Sequence, residues 1–176
     1  MKTKQGILLV LSLFLVAVSL FGQDTLTVVP GTVTVDGVRG TGEYTYSTSQ
    51  NNMELWLRRL DDNRLAFFYQ VKTTGWIALG FGSVRMDSAH ILIGYQAAVT
   101  VADEQTGAGN THSRATTTVL QTSLMREVDG YTIWEGIIDG SRFLAGPNLQ
   151  MIMAYGRADN LTTRHQARGS LTVTLR

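Results

Sequence analysis

The stretch "GWIALGFGSVRMDSAHILIGY", Gly75 to Tyr95, decides how this chain reads. Its two ends, "GWIAL" and "ILIGY", are short apolar runs with branched and aromatic residues and flanking glycine, the pattern of buried strands. A plain hairpin would join such strands through a few turn residues. Here the connection "GFGSVRMDSAH" (Gly80 to His90) sets an aromatic, an arginine, a methionine and a histidine among small residues. Loops carried on a rigid scaffold are where binding residues concentrate. The connection therefore reads as one wall of a ligand pocket, with Met86 at its mouth.

Outward from that stretch, short alternating runs recur and helical periodicity is nearly absent. "MELWLRRL" (Met53 to Leu60) turns through Asp61 to Asn63 into "RLAFFYQVKT" (Arg64 to Thr73). "HILIGYQ" and "AAVTVADEQ" follow, then "TGAGNTHS" (Thr106 to Ser113), whose composition is that of a loop. Asp103 and Glu104 read as solvated carboxylates beside it. "TTTVLQTSLMREVDG" and "YTIWEGIID" form a hairpin over Asp129-Gly130. "GSRFLAG" (Gly140 to Gly146) is a single helical turn, and "LQMIMAYG" and "GSLTVTL" complete the set. About ten short strands separated by turn residues predict an all-β fold, a two-layer antiparallel β-sandwich. Its interior should include Trp76, Ile77, Leu79, Ile91, Ile93, Ile152 and Ala154. The domain should span residues 51–176. Residues 23–50, richer in Gly, Thr and Ser, form a lead-in or edge strands, and "TLTVVPGTVTVDG" (Thr25 to Gly37) reads as two β-type segments about Pro30-Gly31.

The N-terminus has a different character. Lys2 and Lys4 precede an apolar run from Ile7 to Val18, and small residues follow at Ala17, Ser19 and Gly22. This is the pattern of a cleaved signal peptide over residues 1–22, with cleavage after Ser19 or Gly22. A retained membrane anchor is the alternative, since the run is only slightly short for a spanning helix. The expected location is secreted or periplasmic. The chain has no cysteine, so a lipid-anchored lipoprotein is excluded and no disulfide supports the exported fold. With 15 basic and 14 acidic residues the net charge is +1, and loss of Lys2 and Lys4 makes it −1. Such a chain lacks the electrostatic footprint of a nucleic-acid binder.

Most enzymatic constellations are missing. There is no phosphate-cradling loop, and "GFGSV" lacks the third glycine and following helix of a dinucleotide fingerprint. Without cysteine there is no thiolate nucleophile and no iron–sulfur ligation. His90, His112 and His165 stand apart and form neither HxH nor HExxH. The catalytic set is empty.

What remains is a pair of metal-ligating side chains on two separate connections. Met86 lies in the loop between core strands, and His165 lies in "NLTTRHQARGSLTVTL", leading into the last strand. Thioether and imidazole are the axial pair of many electron-transfer haems. Trp76, Phe81, Phe67, Phe68 and Tyr69 are available as apolar walls, and Arg85 or Arg164 as partners for propionates. Each residue also has an ordinary role: methionine and the aromatics as core, His165 and the arginines as solvated surface.

The resemblance to a known family tips this balance. "GWIALGFGSVRMDSAHILIGY" is similar to the signature of DOMON domains: Gly-Trp-hydrophobic-Ala-hydrophobic-Gly-Phe-Gly, a short gap, Met, then an apolar strand ending in Gly-aromatic. "MIMAYGRADNLTTRHQARGSLTV" resembles the family's closing segment, and "VADEQTGAGN" falls at its mid-domain strand and loop. The resemblance runs from about Met53 to the C-terminus. It implies an extracytoplasmic β-sandwich that binds haem b or, in some members, carbohydrate. The haem-binding members resemble the cytochrome domain of cellobiose dehydrogenase and use a methionine and a histidine as ligands, which here fall on Met86 and His165. Trp76, Phe81 and Arg85 are the expected pocket residues. The implied function is single-electron transfer to an extracytoplasmic redox partner protein or a membrane cytochrome. The alternative is a non-redox carbohydrate or small-ligand module, stacking a sugar on Trp76, Trp56 or Trp134. One departure stands out: His90 occupies a position where an acidic residue is usual, making it a rival ligand to Met86.

Overall fold

The structure is a computed structural model and describes residues 25–176. Twelve strands are present among these residues: β1 (Thr25–Leu26), β2 (Tyr46–Gln50), β3 (Met53–Arg59), β4 (Arg64–Val71), β5 (Ile77–Phe81), β6 (His90–Gln96), β7 (Thr100–Ala108), β8 (Thr111–Arg114), β9 (Leu120–Val128), β10 (Tyr131–Asp139), β11 (Asn148–Tyr155) and β12 (Ala167–Leu175). One helical turn, α1 (Ser141–Leu144), falls where the sequence places it. The strands form two sheets, one of seven in the order β1-β12-β11-β5-β6-β7-β8 and one of five in the order β2-β3-β4-β10-β9. Pairing is antiparallel except for β1, which lies parallel to β12. This is the two-layer β-sandwich that the alternation predicts. The proposed leader lies outside the described residues.

Turn chemistry sets the register. Asp129 and Gly130 both take positive φ (52° and 78°), the tight-hairpin geometry that matches strand twist, and Val128 pairs with Tyr131 across it. Asp61 turns β3 into β4 by accepting from the backbone N–H groups of Asn63 (2.9 Å) and Arg64 (2.7 Å).

Along the central strands, alternate residues feed the core between the sheets. Ile77, Leu79 and Phe81 of β5 meet Leu55, Leu57, Phe67, Tyr69 and Trp134 from the opposing sheet. Phe67 and Trp134 pack edge to face at 6.1 Å. Half-buried antiparallel sheets normally turn a polar face to water. Here the outer face of β5, β6 and β11 is apolar, and that of the five-stranded sheet is covered. Over the five-stranded sheet runs the chain between β1 and β2. The Arg58 guanidinium donates to the carbonyls of Pro30 (2.6 Å), Val29, Gly42 and Glu43. The Glu135 carboxylate accepts from the N–H groups of Gly37 (2.6 Å) and Asp36 (2.8 Å) and from the Tyr44 hydroxyl (2.6 Å). Residues 27–45 are thus a strap; of the two expected β-type segments, the first forms β1 and an isolated bridge from Val28 to Arg59, and the second, after Pro30-Gly31, forms no strand.

Two sequence expectations are corrected. Of the residues assigned to the interior, Ile77 and Leu79 lie between the sheets, whereas Trp76, Ile91, Ile93, Ile152 and Ala154 form a second apolar cluster on the outer face of the seven-stranded sheet. Alternation identifies two faces but not which of them meets the other sheet. The stretch "TGAGNTHS" is a hairpin rather than a loop, with β7 running to Ala108 and β8 returning from Thr111.

Candidate functional site

The second cluster is the floor of a cavity of about 1090 Å³ on the outer face of the seven-stranded sheet. That size lies at the upper end of the roughly 300–1,000 Å³ typical of small-molecule and cofactor sites. Ala78 and Gly80 of β5, Ile91 and Ile93 of β6, and Ile152 and Ala154 of β11 supply the floor. At Gly80 an added Cβ would come within 2.5 Å of Ile152 Cγ1, so the floor is kept flat by having no side chain there.

Two loops stand over this floor. The first carries Met86. The Gly82 N–H donates to the Gln150 carbonyl (2.9 Å), the Ala89 N–H to the Met86 carbonyl (3.1 Å), and the Ser88 N–H to the Gly107 carbonyl (3.0 Å). The second loop, between β11 and β12, carries His165. It is closed by Gln166 N–H donating to the Tyr155 carbonyl (2.7 Å). It is braced internally by Asn160, whose side-chain oxygen accepts from the Thr162 N–H (2.9 Å) and hydroxyl (2.7 Å). Trp76 ties it to the sheet: the indole N–H donates to the Thr163 hydroxyl at 3.0 Å, and the Trp76 N–H to the Ala158 carbonyl at 3.3 Å.

Met86 and His165 both line this one cavity, with Trp76 and Arg85. Met86 and His165 are each partly buried, and the His165 ring makes no hydrogen bond or ion pair among the described residues. Arg164 and Arg168 join Arg85 in the lining, against a single acidic residue, Asp87. The cavity thus pairs an apolar floor with a basic rim and brings a thioether and a free imidazole to the same space. That donor set and lining fit a flat, mostly apolar macrocycle with anionic edges.

Other expected residues lie elsewhere. Phe81 does not line the cavity: it is fully buried between the sheets and packs on Phe143 at 5.6 Å, because it follows Gly80 and so faces the opposite side of β5. Phe67 and Tyr69 are in that same core, and Phe68 packs against Trp56 on the outer side of the other sheet. His90, the rival ligand, is 3% exposed, and its Nε2 lies 2.6 Å from Glu104 Oε2. Glu104 is not solvated; its carboxylate also accepts from the N–H groups of Val119 (2.7 Å) and Leu120 (3.1 Å). Trp134 is fully buried and Trp56 is overlaid by the Arg39 guanidinium at 4.6 Å, which leaves Trp76 as the expected stacking residue that reaches the cavity.

Among solved structures, the chain is similar to the cytochrome b domain of pyranose dehydrogenase from Coprinopsis cinerea, with a TM-score of 0.57 and 12% identity over 73% of this chain and 80% of that one. It is also similar to the cytochrome domain of Myriococcum thermophilum cellobiose dehydrogenase, with a TM-score of 0.54 and 9% identity over 74% and 81%. The fold is that of these dehydrogenase cytochrome domains. No family model and no curated protein matches the chain in sequence.

One residue lining the cavity was missed by the sequence reading. His112 of β8 lines the cavity with Asn110 and Gly109. The signal was Gly109-Asn110, a two-residue hairpin turn, with Gly109 at φ 59°.

Proposed function

We propose that this chain is an exported b-type cytochrome domain that holds haem b between Met86 and His165 and passes single electrons to a partner redox protein outside the cytoplasm. The observation that carries the reading is the convergence of those two side chains, from loops far apart in sequence, on one apolar cavity. The fold shared with two cytochrome domains supports it. Haem, when bound, supplies the one-electron chemistry.

The chain's own residues do the rest. Met86 and His165 would hold the haem iron, and a thioether donor would favour its ferrous state. Ala78, Gly80, Ile91, Ile93, Ile152 and Ala154 exclude water from the face of the macrocycle, and Trp76 fixes the His165 loop. Arg85, Arg164 and Arg168 meet the propionates through charge-assisted hydrogen bonds. In this reading the domain is an electron carrier rather than an enzyme. Its partner is an extracytoplasmic redox protein or a membrane cytochrome.

The test is the absorption spectrum of the full chain expressed with ample haem. A Soret band that co-purifies with the chain is expected. A colourless, folded protein overturns the reading. N-terminal sequencing of exported material, expected to begin near Leu20 or Gln23, checks the leader.

A further inference from the structure

The β7–β8 hairpin is fastened to the Met86 loop at three points. The Ser88 N–H donates to the Gly107 carbonyl (3.0 Å) and the Gly107 N–H to the Ala89 carbonyl (2.9 Å). The Gly109 N–H donates to the Asp87 carboxylate at 2.8 Å. Contact at Gly107 is so close that a Cβ there would run into the Met86 carbonyl, with Met86 Cγ 3.2 Å from the same point. The direction in which Gly107 would project a side chain is therefore the direction of Met86.

His112 is the residue directly opposite Gly107 across the hairpin. Residues paired across an antiparallel ladder project to the same face, with Cβ positions about 5 Å apart. The imidazole of His112 thus leaves the hairpin on the side occupied by Met86, and it lines the cavity that Met86 and His165 share. It makes no hydrogen bond or ion pair among the described residues, whereas the His90 ring is taken up by Glu104. All four residues of β8 are exposed, so this arm of the hairpin has no core packing to resist a small displacement toward the cavity.

We propose that His112 is a second donor on the Met86 side of the cavity, one that would compete with the Met86 thioether for the iron of a bound haem. The proposal rests on the haem reading and deepens it. A thioether is a soft donor that favours ferrous iron, while imidazole is a stronger donor to ferric iron. The two side chains thereby divide the oxidation states, Met86 serving the reduced form and His112 the oxidised form. Exchange between them would break one iron–donor bond and form another, with nothing transferred beyond the single redox electron.

The experiment compares ferric absorption and electron paramagnetic resonance spectra of the haem-loaded full chain with those of Met86→Ala, His112→Ala and the double variant. Met86→Ala is expected to remain six-coordinate and low-spin, because His112 fills the vacated position. The double variant is expected to become five-coordinate and high-spin, or to lose haem, and added imidazole to restore the low-spin form wherever haem is retained. Thermal melting of the full chain without haem should be the same for His112→Ala as for the wild type, since the residue is exposed. If Met86→Ala is already high-spin or haem-free, matching the double variant, the proposal is overturned while the haem reading stands. If the wild-type chain takes up no haem, both fall.

Discussion

The indole N–H of Trp76 donates to the hydroxyl of Thr163 at 3.0 Å, and through this bond the strand that leads into the Met86 loop holds the loop that carries His165. The Thr163 hydroxyl donates onward to the Asn160 carbonyl at 2.8 Å, so the contact fixes the loop backbone as well as one side chain. Trp76 is 5% exposed. The loop that carries His165 is therefore held by one small network at the start of β5.

Trp76→Phe keeps an aromatic ring on the cavity wall but removes the donor. Loss of one part-buried hydrogen bond costs about 0.5–1.5 kcal/mol. The expected result is a small drop in melting temperature with roughly a tenfold weakening of haem retention, the latter corresponding to about 1.4 kcal/mol. Competition for haem with apomyoglobin measures it. Unchanged retention would show that the His165 loop is held without Trp76.

His90→Ala separates structure from ligation. The imidazole is buried on Glu104, and its removal takes one partner from a carboxylate that keeps two backbone donors. A loss of about 1–3 kcal/mol in unfolding free energy is expected, with the haem spectrum unchanged. Loss of haem from a variant that still melts cooperatively would restore His90 as a ligand.

These cases show what the sequence made legible. Period-two alternation, the Asp129-Gly130 turn and the Asp61 turn were enough for the sandwich. Met86 and His165 were legible because each sits in a connection whose composition exceeds what a turn requires. The facing of β5, β6 and β11 was not legible, because both faces are apolar: one packs the core and the other floors a cavity. Phe81 and Ile91 were therefore assigned to the wrong sides. Nor could the sequence pair His90 with Glu104, since that contact depends on the β6–β7 register. The strap over the five-stranded sheet was hidden for a similar reason: Arg58 and Glu135 read as ordinary polar positions of exposed strand faces.

Glu135 gives the strap a pH dependence. Burial pushes its carboxyl above the ordinary range, against the opposing pull of hydrogen bonds from Tyr44, Gly37 and Asp36. A folded-state value above the unfolded one means that the folded chain binds more protons. The stabilising contribution is therefore full below the usual glutamate value of about 4.3 and is lost as pH rises through the raised folded value. Urea unfolding from pH 4 to 8 should show this slope in the wild type and a flatter one in Glu135→Gln. Glu135→Ala should lose about 2–4 kcal/mol, because it strands the Tyr44 hydroxyl and two N–H groups.

Gly107→Ala tests the seating of the Met86 loop. The new methyl must displace the Met86 carbonyl, which is backbone and cannot move without breaking the bonds that Ser88 and Ala89 make to β7. Such overpacking costs about 1–3 kcal/mol. Haem retention should fall with it. A variant as stable and as well loaded as the wild type would contradict the close approach.

The central claim is that His165 and the cavity it shares with Met86 bind one haem. Its most direct test is a haem titration of the purified full chain beside His165→Ala, followed at the Soret band. The wild type should saturate at one haem per chain with a six-coordinate, low-spin spectrum that shifts on reduction, while the variant, equally folded by far-UV circular dichroism, retains little or none. Equal loading of both proteins, or a wild type that never develops a Soret band, would contradict the account.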